Sequence, residues 1–252
     1  MPTPFTNLEA AQRLLADPAL DRPTRHLLEA ERSAFLLGSV AADARPTPQS
    51  RREDTHFYTY DRPLTTSPWR VMLDQHPALL AARQPAQRAF LAGYVAHLAM
   101  DEVWTLEMLG PHFAGREWAP HPFRFLMLHA LLIFMDERDL ARLDDWQSAC
   151  LRAAQPAGWL PFMADAVLVE WRDFISDQIK PGGPSLTLEI FGGRINRTPA
   201  ELRALLDSPE QMQRGLWQHV SPALLASVEA AMYARAREQM LLYLSESQQP
   251  RL

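Results

Sequence analysis

A histidine and an aspartate four residues apart stand inside an otherwise apolar helical pattern, Phe90 to Trp104, as His97 and Asp101. Residues four apart share a helix face, so this pair lies on the same stripe as Phe90, Tyr94 and Trp104. The pattern therefore predicts that both polar side chains are buried. A buried carboxylate costs several kcal/mol unless it is paired or bound to a cation. A metal ion is the partner that this chemistry favours.

Two further segments carry residues that could bind the same ion. An apolar helical stretch from Phe35 ends in the carboxylate of Asp43, and His56 stands beside Phe57 and Tyr58 in a polar, proline-containing region. Two imidazoles and two carboxylates suit a borderline divalent cation such as zinc. Such a cation lowers the pKa of bound water toward 7 and polarises a phosphoryl oxygen. The sequence therefore predicts a metal site with hydrolytic chemistry.

The elements that position these residues are predicted to be helices. Caps, prolines and apolar periodicity predict helices over 7–16, 23–38, 68–82, 85–109, 123–135, 139–153 and 161–178, and others after the capping boxes at Thr198 and Ser208 and from Pro222 to Leu244. The capping box Thr6-Asn-Leu-Glu9 predicts the start of the first helix. Residues 43–67 are predicted to form a long functional loop, and the glycine-rich segment 180–197 a turn or short hairpin.

This pattern predicts an all-α, single-domain multi-helix bundle, because it contains no convincing sheet and no repeat of fixed period. Residues 1–180 are expected to form a metal-binding helical core. Residues 181–252 are expected to form a C-terminal helical extension of the same domain.

Composition excludes several classes of function. The net charge is −5 and the basic residues are spread along the chain, so no nucleic-acid interface is predicted. The longest apolar run, Phe125 to Met135, is about half of what spans a bilayer, so no transmembrane segment is predicted. The single cysteine, Cys150, cannot form an intramolecular disulfide, and the first residues lack the pattern of a signal peptide. We expect a cytoplasmic protein, and the sequence does not decide its oligomeric state.

In order, spacing and chemistry, four pieces of the chain resemble the zinc-dependent phospholipase C family, which shares its helical fold with the S1/P1 nucleases. The pieces are Phe5-Thr-Asn-Leu8, Gly38-Ser-Val-Ala-Ala-Asp43, Asp54-Thr-His-Phe-Tyr58 and Phe90-Leu-Ala-Gly-Tyr-Val-Ala-His-Leu-Ala-Met-Asp101, within roughly the first 110 residues. The resemblance implies a bundle of the phospholipase C/P1 nuclease type. It also implies that Asp43, His56, His97 and Asp101 bind one zinc ion and that Asp43 acts on the attacking water. The implied substrate is a small phosphoester or a phospholipid headgroup.

The chain departs from the family pattern at a further metal site. The family's first helix carries a histidine ligand where this chain has Asn7, and its mature amino terminus completes that site, whereas this sequence begins Met1-Pro2. One of the family's three metals is therefore expected to be missing here. The lack of a signal peptide also contrasts with the secreted phospholipases of the family.

A second metal site is a further hypothesis. Glu107 stands where the family has a histidine after the His97/Asp101 pair, and it can still bind metal. The next helix carries His129, but Ile133 replaces the family's glutamate four residues on. Asp136, seven residues on, shares roughly the same face. We expect one zinc ion, with Glu107, His129 and Asp136 as candidates for another, and other divalent metals are compatible with the same ligands.

Three functions fit these residues. The first is a metal-dependent phosphoesterase-like hydrolase, in which a zinc-activated water attacks a phosphoester. The alternative is a catalytically reduced helical protein with a single structural metal and a binding role, because four protein ligands can close a tetrahedral site. A third is a helical di-metal redox protein that uses Glu107 and His129, with Glu53-x-x-His56 as half of a carboxylate-bridged pattern whose second half is absent.

Overall fold

Helices are the regular secondary structure of the part that the structure describes, which contains no strand, and the all-α prediction is confirmed. A computed structural model describes residues 2–45, 47 and 49–247. Within these residues the helices are α1 (Pro4–Leu15), α2 (Arg22–Ala30), α3 (Arg32–Ala41), α4 (Glu53–His56), α5 (Pro68–Gln75), α6 (Pro85–Val103), α7 (His121–Leu140), α8 (Trp146–Arg152), α9 (Asp165–Ile179), α10 (Thr187–Ile195), α11 (Pro199–Leu206), α12 (Pro209–Met212) and α13 (Pro222–Glu246). A 3-10 helix covers Pro77–Ala81, and π-helical segments cover Trp104–Ala114 and Gln213–Trp217.

Helix α6 is the centre of the packing. It lies between α3 and α13, while α1, α8 and α9 pack around α3, and α7 contacts α1 and α10. The residues of the predicted apolar stripe on α6, including Phe90, Tyr94 and Trp104, are completely buried. A helix that is covered on all sides must be apolar all round, which leaves few positions where a polar residue is tolerated. His97 and Asp101 occupy two of them.

Two glycines allow α3 and α6 to touch through their backbones. A Cβ atom at Gly38 would lie 1.9 Å from the carbonyl oxygen of Phe90, and one at Gly93 would lie 2.3 Å from the carbonyl oxygen of Phe35. No side chain fits at either position without moving the helices apart. The crossing therefore brings the end of α3, which precedes Asp43, against the second half of α6.

The predicted start of the first helix is wrong. Helix α1 begins at Pro4, because Thr3 is the N-cap and its hydroxyl accepts a hydrogen bond from the backbone N–H of Thr6 at 3.4 Å. Thr6 lies inside the helix, where its hydroxyl donates to Asp139 Oδ2 at 2.8 Å. Thr6 therefore bonds to a residue distant in sequence instead of forming the capping box that the local pattern predicts.

Several predicted helix boundaries are also wrong. The predicted helix over 23–38 is divided at Glu31, whose backbone angles (φ −113°, ψ 32°) are not helical. The predicted break after residue 109 falls inside the π-helical segment, which continues to Ala114 through widened turns such as Gly115 N–H to Gly110 O. Helix α7 extends past the predicted end at residue 135 to Leu140, so the buried Asp139 belongs to α7. Helix α8 begins at Trp146 rather than at residue 139. Likewise, α9 begins at Asp165 rather than at residue 161.

The predicted turn or hairpin at 180–197 is wrong, because residues 187–195 form α10. The alternating pattern before Phe191 is typical of a strand, but Phe191 is buried and α10 packs against α7, so burial against a neighbouring helix decides the local structure. By contrast, the capping box at Thr198 and the helix start at Ser221 are confirmed.

Parts of the predicted C-terminal extension contact the predicted core. Helix α13 packs along α6, Trp69 Nε1 on α5 donates to Gln239 Oε1 on α13 at 2.9 Å, and α10 and α11 pack on α7. Residues 248–252 of the extension, Met1, and Pro46 and Pro48 of the predicted loop lie outside the described residues. None of the described helices has both the length and the apolar character needed to cross a membrane.

The glycine crossing generates a stability prediction. Gly93→Ala should destabilise the fold by about 2 kcal/mol or more, because the new methyl group overlaps the backbone of α3. Urea unfolding followed by circular dichroism measures this. Gly193→Ala in α10 is the matched control, because a Cβ atom there meets nothing within 4 Å, and it should be neutral or slightly stabilising. Equal midpoints for the two variants would contradict the backbone contact.

Candidate metal centre

The end of α3 supplies backbone acceptors to two neighbouring helices. The last carbonyl groups of a helix have no partner inside it, and here side chains satisfy them. Ser39 O accepts from His97 Nδ1 at 2.8 Å, and Val40 O accepts from Trp171 Nε1 at 2.8 Å. Two residues beyond the end of α3, the N–H of Asp43 bonds back to Val40 O. The position of Asp43 is therefore fixed by α3, α6 and α9 together.

The hydrogen bond to Ser39 fixes the tautomer of His97. A carbonyl oxygen only accepts, so Nδ1 must carry a proton, and Nε2 is the ring nitrogen left to bind a metal ion. The His97 side chain is fully buried, and its Nε2 has no hydrogen-bond partner within the described residues. This is the arrangement found in metal-binding histidines, whose second nitrogen donates to a carbonyl or carboxylate.

A single helical turn, α4, carries His56. The turn ends at Phe57, which has a left-handed backbone (φ 61°), and the hydroxyl of Tyr94 on α6 holds it by donating to Thr55 O at 2.6 Å. His56 Nδ1 lies 3.0 Å from the Thr55 hydroxyl. Burial and the charge of Arg52 together lower the pKa of His56 to about 4 against the pull of the nearby carboxylates. The imidazole is therefore neutral at pH 7, as a metal ligand must be.

Asp43, His56 and His97 converge. One ligand atom from each lies within 4.8 Å of the other two, and Asp43 Oδ1 is 3.5 Å from His56 Nε2. Burial by itself would raise the pKa of Asp43, but His56, His97 and Arg52 outweigh it and hold that pKa at about 2. The carboxylate is thus ionised and offers a negative ligand. The prediction that these three residues meet in space agrees with this geometry.

Buried polar atoms without hydrogen-bond partners show whether a metal ion fits this cluster. Each of four neighbouring side chains has one buried atom without a hydrogen-bond partner within the described chain: Asp43 Oδ2, His56 Nε2, His97 Nε2 and Asp101 Oδ1. Buried polar groups are normally satisfied, so four unsatisfied atoms in one cluster of residues call for an explanation. All four are nitrogen or oxygen donors of the type that zinc binds. A divalent cation fits this set.

Asp101 lies beside the group but has another partner. Its Oδ2 is 3.4 Å from His56 Nε2 and 3.8 Å from His97 Nε2, and the guanidinium of Arg52 donates to it at 2.5 Å. Asp101 is therefore adjacent to the predicted site, and one of its two oxygens pairs with an arginine. The three-residue group consists of Asp43, His56 and His97 without it.

Sequence reasoning gave no role to Arg52 or to the Ser39 carbonyl. Arg52 precedes His56 by four residues, the spacing that puts two side chains on one face of a helical turn, so a signal was present. No signal marks Ser39, because its contribution is a backbone carbonyl that only the crossing of α3 and α6 brings to His97.

The site opens into a cavity of about 610 Å³. Asp43, His56 and Arg52 form part of its wall, whereas His97 and Asp101 are not among the lining residues. Most of the remaining lining is aliphatic or aromatic, including Phe113, Phe125, Leu128, Leu132, Ile175 and Phe191. A metal centre at the wall of a largely apolar cavity can receive a ligand that has a polar group and an apolar portion.

The residues of the predicted second site are not assembled. Glu107 is exposed on the π-helical segment and does not line the cavity, whereas His129 does line it and its Nδ1 donates to Phe125 O at 2.8 Å. Within the described residues neither belongs to a group of three potential ligands. Asp136 also lines the cavity, and its Oδ2 accepts a hydrogen bond from the Thr187 hydroxyl. Asn7 is buried, and neither of its side-chain polar atoms has a partner within the described chain.

The buried carboxyl of Asp136 generates a prediction of pH dependence. Burial raises its pKa from 3.8 to about 7, so the folded state holds a proton that the unfolded state releases. The stability from this proton is present at low pH and is lost as pH rises from 3.8 to about 7. Asp136→Asn, which is always neutral, should therefore gain stability relative to the wild type across this window, by up to roughly 1.4 kcal/mol per pH unit.

Thermal unfolding of both proteins at pH 5 and pH 8 measures the effect of Asp136. The exposed Asp74 on α5 supplies the control Asp74→Asn, whose difference from the wild type should stay nearly constant. A constant difference for Asp136→Asn as well would show that its carboxyl titrates normally.

Of three comparisons with known proteins, the one with protein-family models gave a match. A search of curated proteins and a search of solved structures each gave no match. The family model described as zinc dependent phospholipase C matches residues 3–146, which include α1 to α7 and every residue of the metal centre. This match covers more than half of the sequence, and so the chain belongs to the zinc-dependent phospholipase C family.

Proposed function

We propose that this protein is a zinc-dependent phosphoesterase whose ion is held by Asp43, His56 and His97, with Asp101 beside them. The observation that carries the proposal is the convergence of unpaired ligand atoms at the wall of the cavity. Membership of a zinc-dependent family supports zinc as the metal.

The ligand set favours a catalytic ion over a structural one. Structural zinc sites are closed by four protein ligands, whereas catalytic sites have three and leave a position for water or substrate. Here three side chains form the group, and an oxygen of the fourth candidate pairs with Arg52. The centre also borders a cavity instead of being enclosed in the core. Both features disfavour the alternative of a catalytically reduced protein with a structural metal.

Each residue has a definite task in this reaction. His97 would bind the ion through Nε2, because its Nδ1 is bonded to the Ser39 carbonyl, and burial keeps the imidazole of His56 unprotonated. When bound, zinc supplies a water of lowered pKa and polarises a phosphoryl oxygen. Asp43 lines the cavity, so its carboxylate can also accept a hydrogen bond from the attacking water. Its low pKa makes it a weak base, which suits orienting the water more than removing its proton.

We propose that the substrate is an amphiphilic phosphoester. The phosphate would face the metal centre, and an apolar chain would occupy the part of the cavity lined by Leu128, Leu132 and Phe191. Arg45 and Arg194 also line this cavity, so the substrate meets positive charge as well as apolar surface. A small phosphoester or phospholipid headgroup attached to an apolar group satisfies both requirements.

Metal removal tests the proposed function. Purified protein should contain zinc and should hydrolyse bis-p-nitrophenyl phosphate, a chelator should abolish turnover, and added zinc or manganese should restore it. His97→Ala should lower zinc affinity by about 10-fold to 100-fold or more and turnover with it. His26→Ala on the surface of α2 is the control and should retain both. Hydrolysis by protein that elemental analysis shows to be free of metal would refute the proposal.

A series of alkyl p-nitrophenyl phosphates tests the apolar part of the substrate. The kcat/KM value should rise from methyl to hexyl, because each buried methylene contributes about 0.8 kcal/mol. Leu132→Trp, which fills the cavity, should lower kcat/KM for the hexyl ester by roughly 10-fold or more and affect the methyl ester little. Leu242→Trp on the exposed side of α13 is the matched control. Equal rates along the series in the wild type would contradict an apolar binding site.

A further inference from the structure

Arg52 places a permanent positive charge inside the metal centre. Its side chain is 18% exposed and lines the cavity, and its Nη2 atom donates to Asp101 Oδ2 at 2.5 Å and to the Tyr58 hydroxyl at 2.6 Å. Burial disfavours this cation, but the Asp101 carboxylate outweighs the effect and raises the pKa of Arg52. The guanidinium is therefore charged at any pH at which the protein is folded.

The guanidinium is held in a fixed orientation. Its carbon lies 4.7 Å from the centre of the Tyr58 ring and 4.9 Å from that of the Tyr60 ring, distances at which both rings attract the cation. Tyr58 is fixed in turn, because its hydroxyl lies 2.9 Å from the Thr105 hydroxyl. The contacts with Asp101, Tyr58 and Tyr60 therefore hold the guanidinium in one orientation before any ligand binds.

A buried donor of Arg52 has no protein partner. A guanidinium has five N–H donors, and the two on Nη2 are used by Asp101 and Tyr58. Within the described residues the Nε donor is buried and has no hydrogen-bond partner. A buried donor without a partner is costly. A ligand in the cavity that brings a negative oxygen would offer this side chain the missing acceptor.

Charge balance points to the same kind of ligand. Arg52 pairs with Asp101 beside the Asp43–His56–His97 group. A divalent cation held by that group would add two positive charges next to the guanidinium, and the two together attract an anion. Arg52 opposes the binding of that cation by Coulomb repulsion, so its presence lowers metal affinity and needs a reason other than metal binding.

We propose that Arg52, held by Asp101, is an oxyanion-binding residue that donates to a nonbridging oxygen of a phosphoryl group. This inference rests on the proposed function, because it assumes a phosphoryl ligand next to the metal ion. Arginine suits this task, since its planar donors match phosphate geometry and its charge does not depend on pH.

The test uses opposite effects on two probes, inorganic phosphate and zinc. Arg52→Gln removes the charge but retains an N–H donor for Asp101. In zinc-loaded protein, calorimetry should show phosphate binding weakened by about 10-fold or more, while competition with a chromophoric chelator should show zinc affinity unchanged or higher. Arg52→Lys retains the charge and should bind phosphate with intermediate affinity. Arg62→Met is the control, because it also removes one arginine from this region but Arg62 does not line the cavity. It should change neither the phosphate affinity nor the zinc affinity.

Two results would overturn the inference. Phosphate affinity of Arg52→Gln within about threefold of the wild type would show that Arg52 does not bind the anion. Parallel loss of zinc and phosphate in Arg52→Gln would show that Arg52 acts only by holding Asp101 in place. In both cases the proposed function would still be supported if the wild type shows zinc-dependent hydrolysis. Wild-type protein without zinc or hydrolysis would instead remove the proposed function itself.

Discussion

The contact between the backbones of α3 and α6 is the constraint on which the metal centre depends. Gly38 and Gly93 allow the two helices to approach until carbonyl oxygens fill the space where Cβ atoms would otherwise stand. Because Ser39 follows Gly38, and His97 lies one turn beyond Gly93, the same crossing brings the Ser39 carbonyl to His97 Nδ1. One packing feature thus determines the helix geometry, the protonated nitrogen of His97 and the distance from His97 to Asp43.

The centre is built from groups that would destabilise a protein in which they had no function. Two carboxylates, one guanidinium and two imidazoles lie together out of water, and several of their polar atoms have no partner within the described chain. Burial of charge is unfavourable unless each charge is compensated. Arg52 compensates Asp101, and a divalent cation would compensate the remaining unpaired atoms. The free-energy cost of burying these charges is confined to one cluster, and the packing of α3, α6 and α13 offsets it.

The cavity extends this chemistry beyond the metal centre. Its lining comes from α7, α9 and α10 as well as from the segments that hold the ligands, so residues outside the family match shape the space that a substrate would enter. Trp171 of α9 both lines the cavity and donates to Val40 O at the end of α3. The later helices therefore affect the position of Asp43 as well as the shape of the cavity.

The sequence by itself determined the helical class and the burial of the α6 stripe, and it named Asp43, His56, His97 and Asp101 as candidate ligands, because helical periodicity and residue chemistry are local properties. It did not determine helix boundaries where a distant partner decides them. Thr6 donates to Asp139 instead of capping a helix, and residues 187–195 form a helix because Phe191 is buried against α7. Only the tertiary structure showed that Arg52 pairs with Asp101 and that Glu107 is exposed away from His129. These outcomes depend on which segments meet in space, and spacing along one chain does not contain that information.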